Sequence, residues 1–198
     1  MAHYFTNDEV QSNEKTLIFK IKDTELLMTV DNGVFSKKGL DFGTRTLLES
    51  LEDVNGEVLD FGCGYGPIGI YLAKTKKANI DMIDINQRSL NLAKKNALQN
   101  KVKVNVFESN IYENINKKYD YIITNPPIRV GKKILYEILF GAKEYLKDNG
   151  EMWLVVHKDQ GAKSLAKDLE KSYQVDIINK NKGFFVIRAK NRWQFAKM

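Results

Sequence analysis

One cysteine, Cys63, stands among 198 residues, so no disulfide forms within the chain and a reducing, cytoplasmic setting is expected. Two histidines beside that single cysteine leave too few soft ligands for a structural zinc site, and no metal is expected. No apolar run approaches the roughly 18 residues of a membrane span. The segment Met1–Lys15 is polar and charged, so no secretory signal is expected. The chain has only 3 prolines, no Gly/Ser-rich stretch and no internal repeat, and nothing divides it into separate units. No Ser/His/Asp or Cys/His set marks a covalent nucleophile.

What remains is an ordinary globular balance, 43% hydrophobic and 28% charged, enough to bury a core. The formal net charge of +6 is carried mainly by lysine and favours a polyanionic partner. A lysine-rich solvated surface gives the same balance, so charge alone does not choose.

From Glu57 onward, short apolar runs alternate with helical patterns, the sign of parallel strands joined by crossover helices. Strands are predicted at Glu57–Phe61, Asn79–Ile85, Val102–Phe107, Tyr119–Thr124 and Glu151–Val156. Helices are predicted at Pro67–Lys74, Gln87–Gln99, Lys132–Lys147 and Gln160–Ser172. Ile134, Ile138, Leu139 and Leu146 mark the apolar face of the third. The last two strands, Tyr173–Asn179 and Phe184–Ala189, are separated only by Lys180-Asn181-Lys182-Gly183, too short for a parallel crossover, so they form an antiparallel hairpin. Ahead of the alternation lie a hairpin (Leu17–Lys22 and Leu26–Val30, turning at Asp23-Thr24-Glu25) and a helix over Asp41–Leu51. The expected fold is α/β, Rossmann-like, with a seven-stranded mostly parallel sheet, a C-terminal antiparallel hairpin and a small N-terminal β flap. Residues 1–40 make the flap and linker, and residues 41–198 the main domain.

The run from Val58 to Gly69 leads from a strand into a helix through Asp60-x-Gly62-x-Gly64-x-Gly66. Glycines let a ligand lie against bare backbone, but Gly64-x-Gly66-x-x-Gly69 also satisfies the dinucleotide fingerprint. Asp60 favours another ligand. A pyrophosphate seeks the helix N-terminus, where a carboxylate would repel it. The ammonium of S-adenosylmethionine would pair with that carboxylate. The plain alternative is that Asp60 only caps the turn. Asp84 follows at the end of the next strand, placed to accept both ribose hydroxyls. Ile85 is placed to line the adenine, and Ser109 and Asn110 to reach its edge unless they are simple turn residues.

Asn125-Pro126-Pro127 follows the apolar strand Tyr121–Thr124 and should face the crevice beyond the strand ends. A carboxamide is a poor base, but its oxygen and the Pro126 carbonyl together accept both hydrogens of an NH₂ group. Such a grip orients a weakly nucleophilic ring amine by positioning and preorganised dipoles. A rigid turn is the plain alternative.

These motifs together resemble the class I amino-methyltransferases that act on bases and glutamine. More narrowly, Asp31-Asn32-Gly33-Val34-Phe35-Ser36 and Leu40-Asp41-Phe42-Gly43-Thr44 resemble the 16S ribosomal RNA guanine-N2 methyltransferases, the RsmC-like group, over about Phe19 to Lys190. The resemblance implies transfer from S-adenosylmethionine, leaving S-adenosylhomocysteine, to N2 of a guanine in ribosomal RNA or the small ribosomal subunit. It also implies that Phe35, Lys38 and Thr44 lie near the donor's methionine end or the target base. The chain is similar to single-domain relatives, with no room for the extra domain that some members carry. It departs at Ile128, where many amino-methyltransferases place an aromatic to stack on the base; Phe35 is the nearest substitute. Protein glutamine and DNA adenine methyltransferases use the same Asn-Pro-Pro grip. A nucleotide-binding oxidoreductase and a non-catalytic RNA-binding scaffold are the rivals from other classes. Arg129, Lys132 and Lys133 open the next helix, where cations oppose the helix dipole unless an anion such as an RNA phosphate arrives; solvated surface lysines are the plain alternative.

Overall fold

The computed structural model describes residues 11–32 and 39–191, with the Arg129 side chain left undescribed. Phe35 and Lys38 lie outside the described residues.

The chain begins with an antiparallel pair, β1 (Lys15–Ile21) and β2 (Thr24–Val30), followed by α1 (Phe42–Ser50). Then come β3 (Gly56–Phe61), α2 (Pro67–Thr75), β4 (Ala78–Asp84), α3 (Gln87–Gln99), β5 (Asn105–Glu108) and β6 (Tyr119–Thr124). The second half holds α4 (Lys132–Tyr145), β7 (Leu146–His157), α5 (Ala162–Leu169), β8 (Tyr173–Asn181) and β9 (Phe184–Asn191). Seven strands form one sheet in the order β5-β4-β3-β6-β7-β9-β8, parallel except around β9. Strand order reverses between β3 and β6, the kind of switch point beyond whose carboxyl ends open α/β sheets bind ligands.

Alternation along the strands divides the core in two. Val58, Ile80, Met82 and Ile123 face α1, α2 and α3, while Leu59, Ile83, Ile122 and Leu154 face α4 and α5. Each such side chain, fully buried, contributes about 1.5–3 kcal/mol of burial. The β1–β2 hairpin joins the first layer, since Phe19, Ile21, Leu26, Met28 and Val30 belong to its core. It is also tied by polar side chains. Asn96, fully buried on α3, accepts from Thr29 N–H at 2.7 Å and donates to the carbonyls of Thr29 and Tyr65, each at 2.9 Å. Asn100, one turn on, makes the same exchange with Leu27.

Several boundaries differ from expectation, for physical reasons. The hairpin turns are tighter, because pairing satisfies backbone groups up to the last residues. Ile21 pairs with Thr24, leaving Lys22-Asp23 as the turn, and Asn181 pairs with Phe184, leaving Lys182-Gly183. Lys182 and Gly183 both take positive φ (44° and 83°), which matches the twist of paired strands. The strand expected from Val102 starts at Asn105, since Val102 N–H bonds Ala97 O and closes α3 instead. Helix α4 ends at Tyr145, and Leu146 already pairs with Tyr119 as the start of β7. On α4 it is Leu135, Ile138, Leu139 and Ala142 that are buried, while Ile134 is 41% exposed. Helix α5 is shorter than expected because Lys158–Gln160 form a separate 3-10 turn before Gly161.

Candidate active site

Asp60 lies near the end of β3 with no exposed surface. Helix α2 presses close against it. Gly69 has no room for a side chain, since a Cβ there would meet Met82 Sδ at 2.6 Å, and its N–H therefore reaches Asp60 Oδ2 at 2.8 Å. The other oxygen, Oδ1, is buried with no hydrogen-bond partner. Burial pushes the carboxyl up to about 7; the Gly69 N–H opposes this and the charge of Asp84 adds to it. A buried carboxylate with one bare oxygen fits a cationic ligand group that donates to it.

The loop that follows takes positive φ at Gly62 (69°), Gly64 (55°) and Gly66 (94°). A Cβ at Gly62 or Gly64 would meet nothing within 4 Å, so the open space above them lies against bare backbone. Asp84 closes the far side. Its Oδ2 accepts from Gly64 N–H and its Oδ1 from Asn86 N–H, both at 2.9 Å. Burial raises its carboxyl, with those N–H groups and that of Ile85 opposing. Among the described residues no lysine or arginine pairs with Asp60 or Asp84. Ile85 follows with 37% of its surface exposed. Cys63, buried between the two acids, has its thiol held well above its ordinary range by burial and by both carboxylates, so it is no nucleophile.

Asn125 stands at the carboxyl end of β6, next to β3; Thr124 Oγ1 donates to Phe61 O at 2.9 Å and fixes the two strand ends together. Its amide nitrogen donates to Thr44 Oγ1 at 3.0 Å and faces both Asp41 oxygens, at 3.3 and 3.4 Å. Among the described residues nothing donates to its Oδ1. The Pro127 carbonyl accepts from Val130 N–H at 3.2 Å, whereas the Pro126 carbonyl has no donor among the described residues. Two acceptors at one strand end, on half-buried Asn125 and buried Pro126, thus have no donor among the described residues.

Other expected residues fall differently. Thr44 is buried against Asn125 as an anchor. Ser109 is buried, its hydroxyl bridging Ile111 O and Asn114 N–H within its own loop, while Asn110 is exposed. Lys132 lies 4.9 Å over the Tyr136 ring, and Lys133 is exposed with no partner among the described residues. Ile128 packs onto the second core layer in a 3-10 turn and offers no ring. His157 packs on Phe184 and caps the turn at Asp159. Asp41 is the residue that sequence reasoning missed; the available signal was an Asp before a helical run, which reads only as a cap. No described helix is long and apolar enough to cross a membrane, and no group of three or more His, Cys, Asp or Glu gathers among the described residues.

The family model for the methyltransferase small domain matches residues 25–188, which takes in every one of these groups. The chain belongs to that methyltransferase family. It is 42% identical over 196 residues to the uncharacterized protein YbxB of Bacillus subtilis (strain 168), covering 95% of this chain and 98% of that one. It is 37% identical over 150 residues to the ribosomal RNA small subunit methyltransferase C of Psychromonas ingrahamii, covering 73% of this chain and 43% of that protein. The solved T. thermophilus 16S rRNA N2 methyltransferase RsmC, in complex with AdoMet and guanosine, superposes with a TM-score of 0.81 at 26% identity, covering 90% of this chain and 51% of that one. The chain therefore spans about half, or less, of these longer methyltransferases. The family's small domain is the Rossmann-like fold seen here, with the seven-stranded sheet and terminal hairpin expected from the sequence.

Proposed function

We propose that this chain transfers a methyl group from S-adenosylmethionine to the exocyclic amine of a nucleobase, N2 of a guanine in small-subunit ribosomal RNA. The observation that carries the reading is two features on the ends of adjacent strands: a buried carboxylate at Asp60 with no partner on Oδ1, and an acceptor pair without donors among the described residues at Asn125 and Pro126. Asp60 and the open glycines Gly62 and Gly64 hold the amino-acid end of the donor, with Gly66, packed against Met82 and Ile70, fixing the turn beneath them. Asp84 holds the ribose, and Ile85 lines the adenine, with the Ser109–Asn110 loop beside it. Phe35 and Lys38 lie in the segment between β2 and Asp41 and are assigned to the same donor-and-base region.

S-adenosylmethionine supplies a methyl group made electrophilic by its sulfonium. Asn125 Oδ1 and the Pro126 carbonyl accept the two amine hydrogens, with Pro127 stiffening the turn. The amine lone pair takes the methyl carbon as its bond to sulfur breaks, and the surplus proton leaves to water. No protein nucleophile is required, so the work is positioning and fixed dipoles. The longer relatives described as ribosomal RNA methyltransferases support the target class.

Arg129, Lys132 and Lys133 are assigned to RNA phosphates flanking the target. Lys133, unpartnered among the described residues, is the strongest of them, and Lys133→Met should lower the salt slope of RNA binding by about one. The reading as a whole is tested with deuteromethyl donor, 16S ribosomal RNA, small subunits, a glutamine-bearing release factor and DNA, followed by mass spectrometry of digests. Labelled N2-methylguanosine is the expected product. Label only in glutamine or N6-methyladenine would move the target, and no thermal stabilisation by S-adenosylhomocysteine would end the enzymatic reading.

A further inference from the structure

A carboxamide has two ends of nearly equal size and opposite character: the oxygen accepts and the nitrogen donates. If Asn125 is to hold an NH₂ group, the oxygen must face it. The reverse orientation would set one NH₂ against another. Shape alone does not choose between the two, so a neighbour must.

We propose that Asp41 is a positioning residue that selects the end of the Asn125 carboxamide presented to the target amine; this rests on the methyl-transfer reading above. Both Asp41 oxygens face Asn125 Nδ2, at 3.3 and 3.4 Å, and an ionised carboxylate only accepts. The Thr44 hydroxyl accepts from the same nitrogen at 3.0 Å. Turning the amide over would place its oxygen against the carboxylate and leave the nitrogen without either acceptor.

Asp41 is itself fixed. It caps α1, its Oδ1 accepting from Thr44 N–H at 3.1 Å, with φ −65° and ψ 153°. The positive end of the helix dipole favours the carboxylate there. One turn of α1 therefore supplies both acceptors, Asp41 and Thr44, and holds them across 84 and 81 residues of sequence from Asn125. A cap alone does not demand this residue type, since Asn and Ser cap as well as Asp. Only the acidic form presents acceptors at both oxygens.

The test is a side-chain swap. Asp41→Asn retains the cap through Oδ1 but turns the second oxygen facing the Asn125 nitrogen into an NH₂, and kcat should fall roughly 100-fold, the scale of one misplaced active-site dipole. Its affinity for S-adenosylhomocysteine and its melting temperature should hold. Asn125→Asp sets two carboxylates against each other and should be as poor. In the double variant, Asp41→Asn with Asn125→Asp, the amide now on α1 donates to the carboxylate now on β6. One oxygen of that carboxylate is left to accept from the target, and kcat should recover at least about 10-fold over either single change. A purely capping Asp41 predicts no such recovery, so a multiplicative double variant overturns the proposal. A second readout needs no substrate: with ¹⁵N-labelled protein, the Asn125 side-chain protons should exchange at least about 10-fold faster in Asp41→Asn than in the wild type. Equal rates overturn the orientation. Protected protons in a wild-type protein that methylates no RNA leave Asp41 in its role and remove only the assigned target.

Discussion

Strands β3 and β4 each carry one acid near the carboxyl end and another earlier in the strand, and the two sets are furnished in opposite ways. In the earlier set, Lys117 Nζ lies 2.6 Å from Glu57 and 2.9 Å from Asp81, and Tyr119 donates its hydroxyl to Asp81 at 2.8 Å. Lys147 pairs with Asp120 on neighbouring β6 at 2.8 Å. Glu57 sits below the usual carboxylate range chiefly through its bond to Lys117; at Asp120 burial is outweighed by Lys147 and the Glu57 N–H. At the carboxyl end, Asp60 and Asp84 are raised instead, with only backbone N–H groups for company. The same residue type on the same strands is thus matched by lysines in one set and left short of positive charge in the other. A set whose charges are matched is finished as structure, whereas an unmatched buried charge is a standing demand for a ligand.

That contrast is sharpened or broken by three measurements. The largest effect belongs to Asp60→Asn. Affinity for S-adenosylhomocysteine should fall roughly 10- to 100-fold, the worth of a hydrogen bond to a charged group. The ligand-free protein should melt at the same temperature or higher at pH 8, since the isosteric amide removes a buried charge. Calorimetric titration showing an unchanged Kd would erase the distinction between the two sets.

Next in size is the pH dependence. The Asp60 carboxyl titrates at about 7 in the folded chain, raised from 3.8. Between those values the folded state binds more protons than the unfolded one, so this group's contribution to ligand-free stability is full at low pH and is lost as pH rises through about 7. Binding of an ammonium needs the ionised form. Ligand affinity should therefore weaken up to about tenfold per pH unit below that point and level off above it. Thermal shifts with S-adenosylhomocysteine at pH 6, 7 and 8 should increase in that order, and Asp60→Asn should flatten the trend.

The smallest effect is expected in the earlier set. Lys117→Met should cost about 1 kcal/mol of stability, modest because the lysine is 39% exposed and screened. Donor affinity should stay within about twofold, because sites this far apart rarely couple. A parallel loss of affinity and stability would show that the two sets are not separate.

The order of strands and helices was legible because local signals carry it. Tyr119–Thr124 and Gln87–Gln99 have the bounds that their apolar patterns indicate. Asp60, the glycines, Asp84 and Asn125 stood out as chemistry at strand ends, and the fold gathers them at one edge. What pattern could not show were choices made by long-range partners. Ser109 looked free to meet a ligand, but its loop curls back on the hydroxyl. The resting place of Lys132, over the Tyr136 ring, was likewise beyond the reach of pattern. Asp41 was hidden because its second role exists only once β6 arrives beside α1.

Asn96 carries a consequence for how the donor loop keeps its shape. One interior amide clasps the backbone of β2 on one side and the carbonyl of Tyr65, inside the glycine-rich turn, on the other. The leading hairpin is therefore a splint for that turn rather than trim on the domain. Cutting it away would remove two of the three hydrogen bonds that hold Asn96 and let the turn breathe. The shape of the glycine-rich turn is thus tied to a strand that lies well upstream of it in sequence.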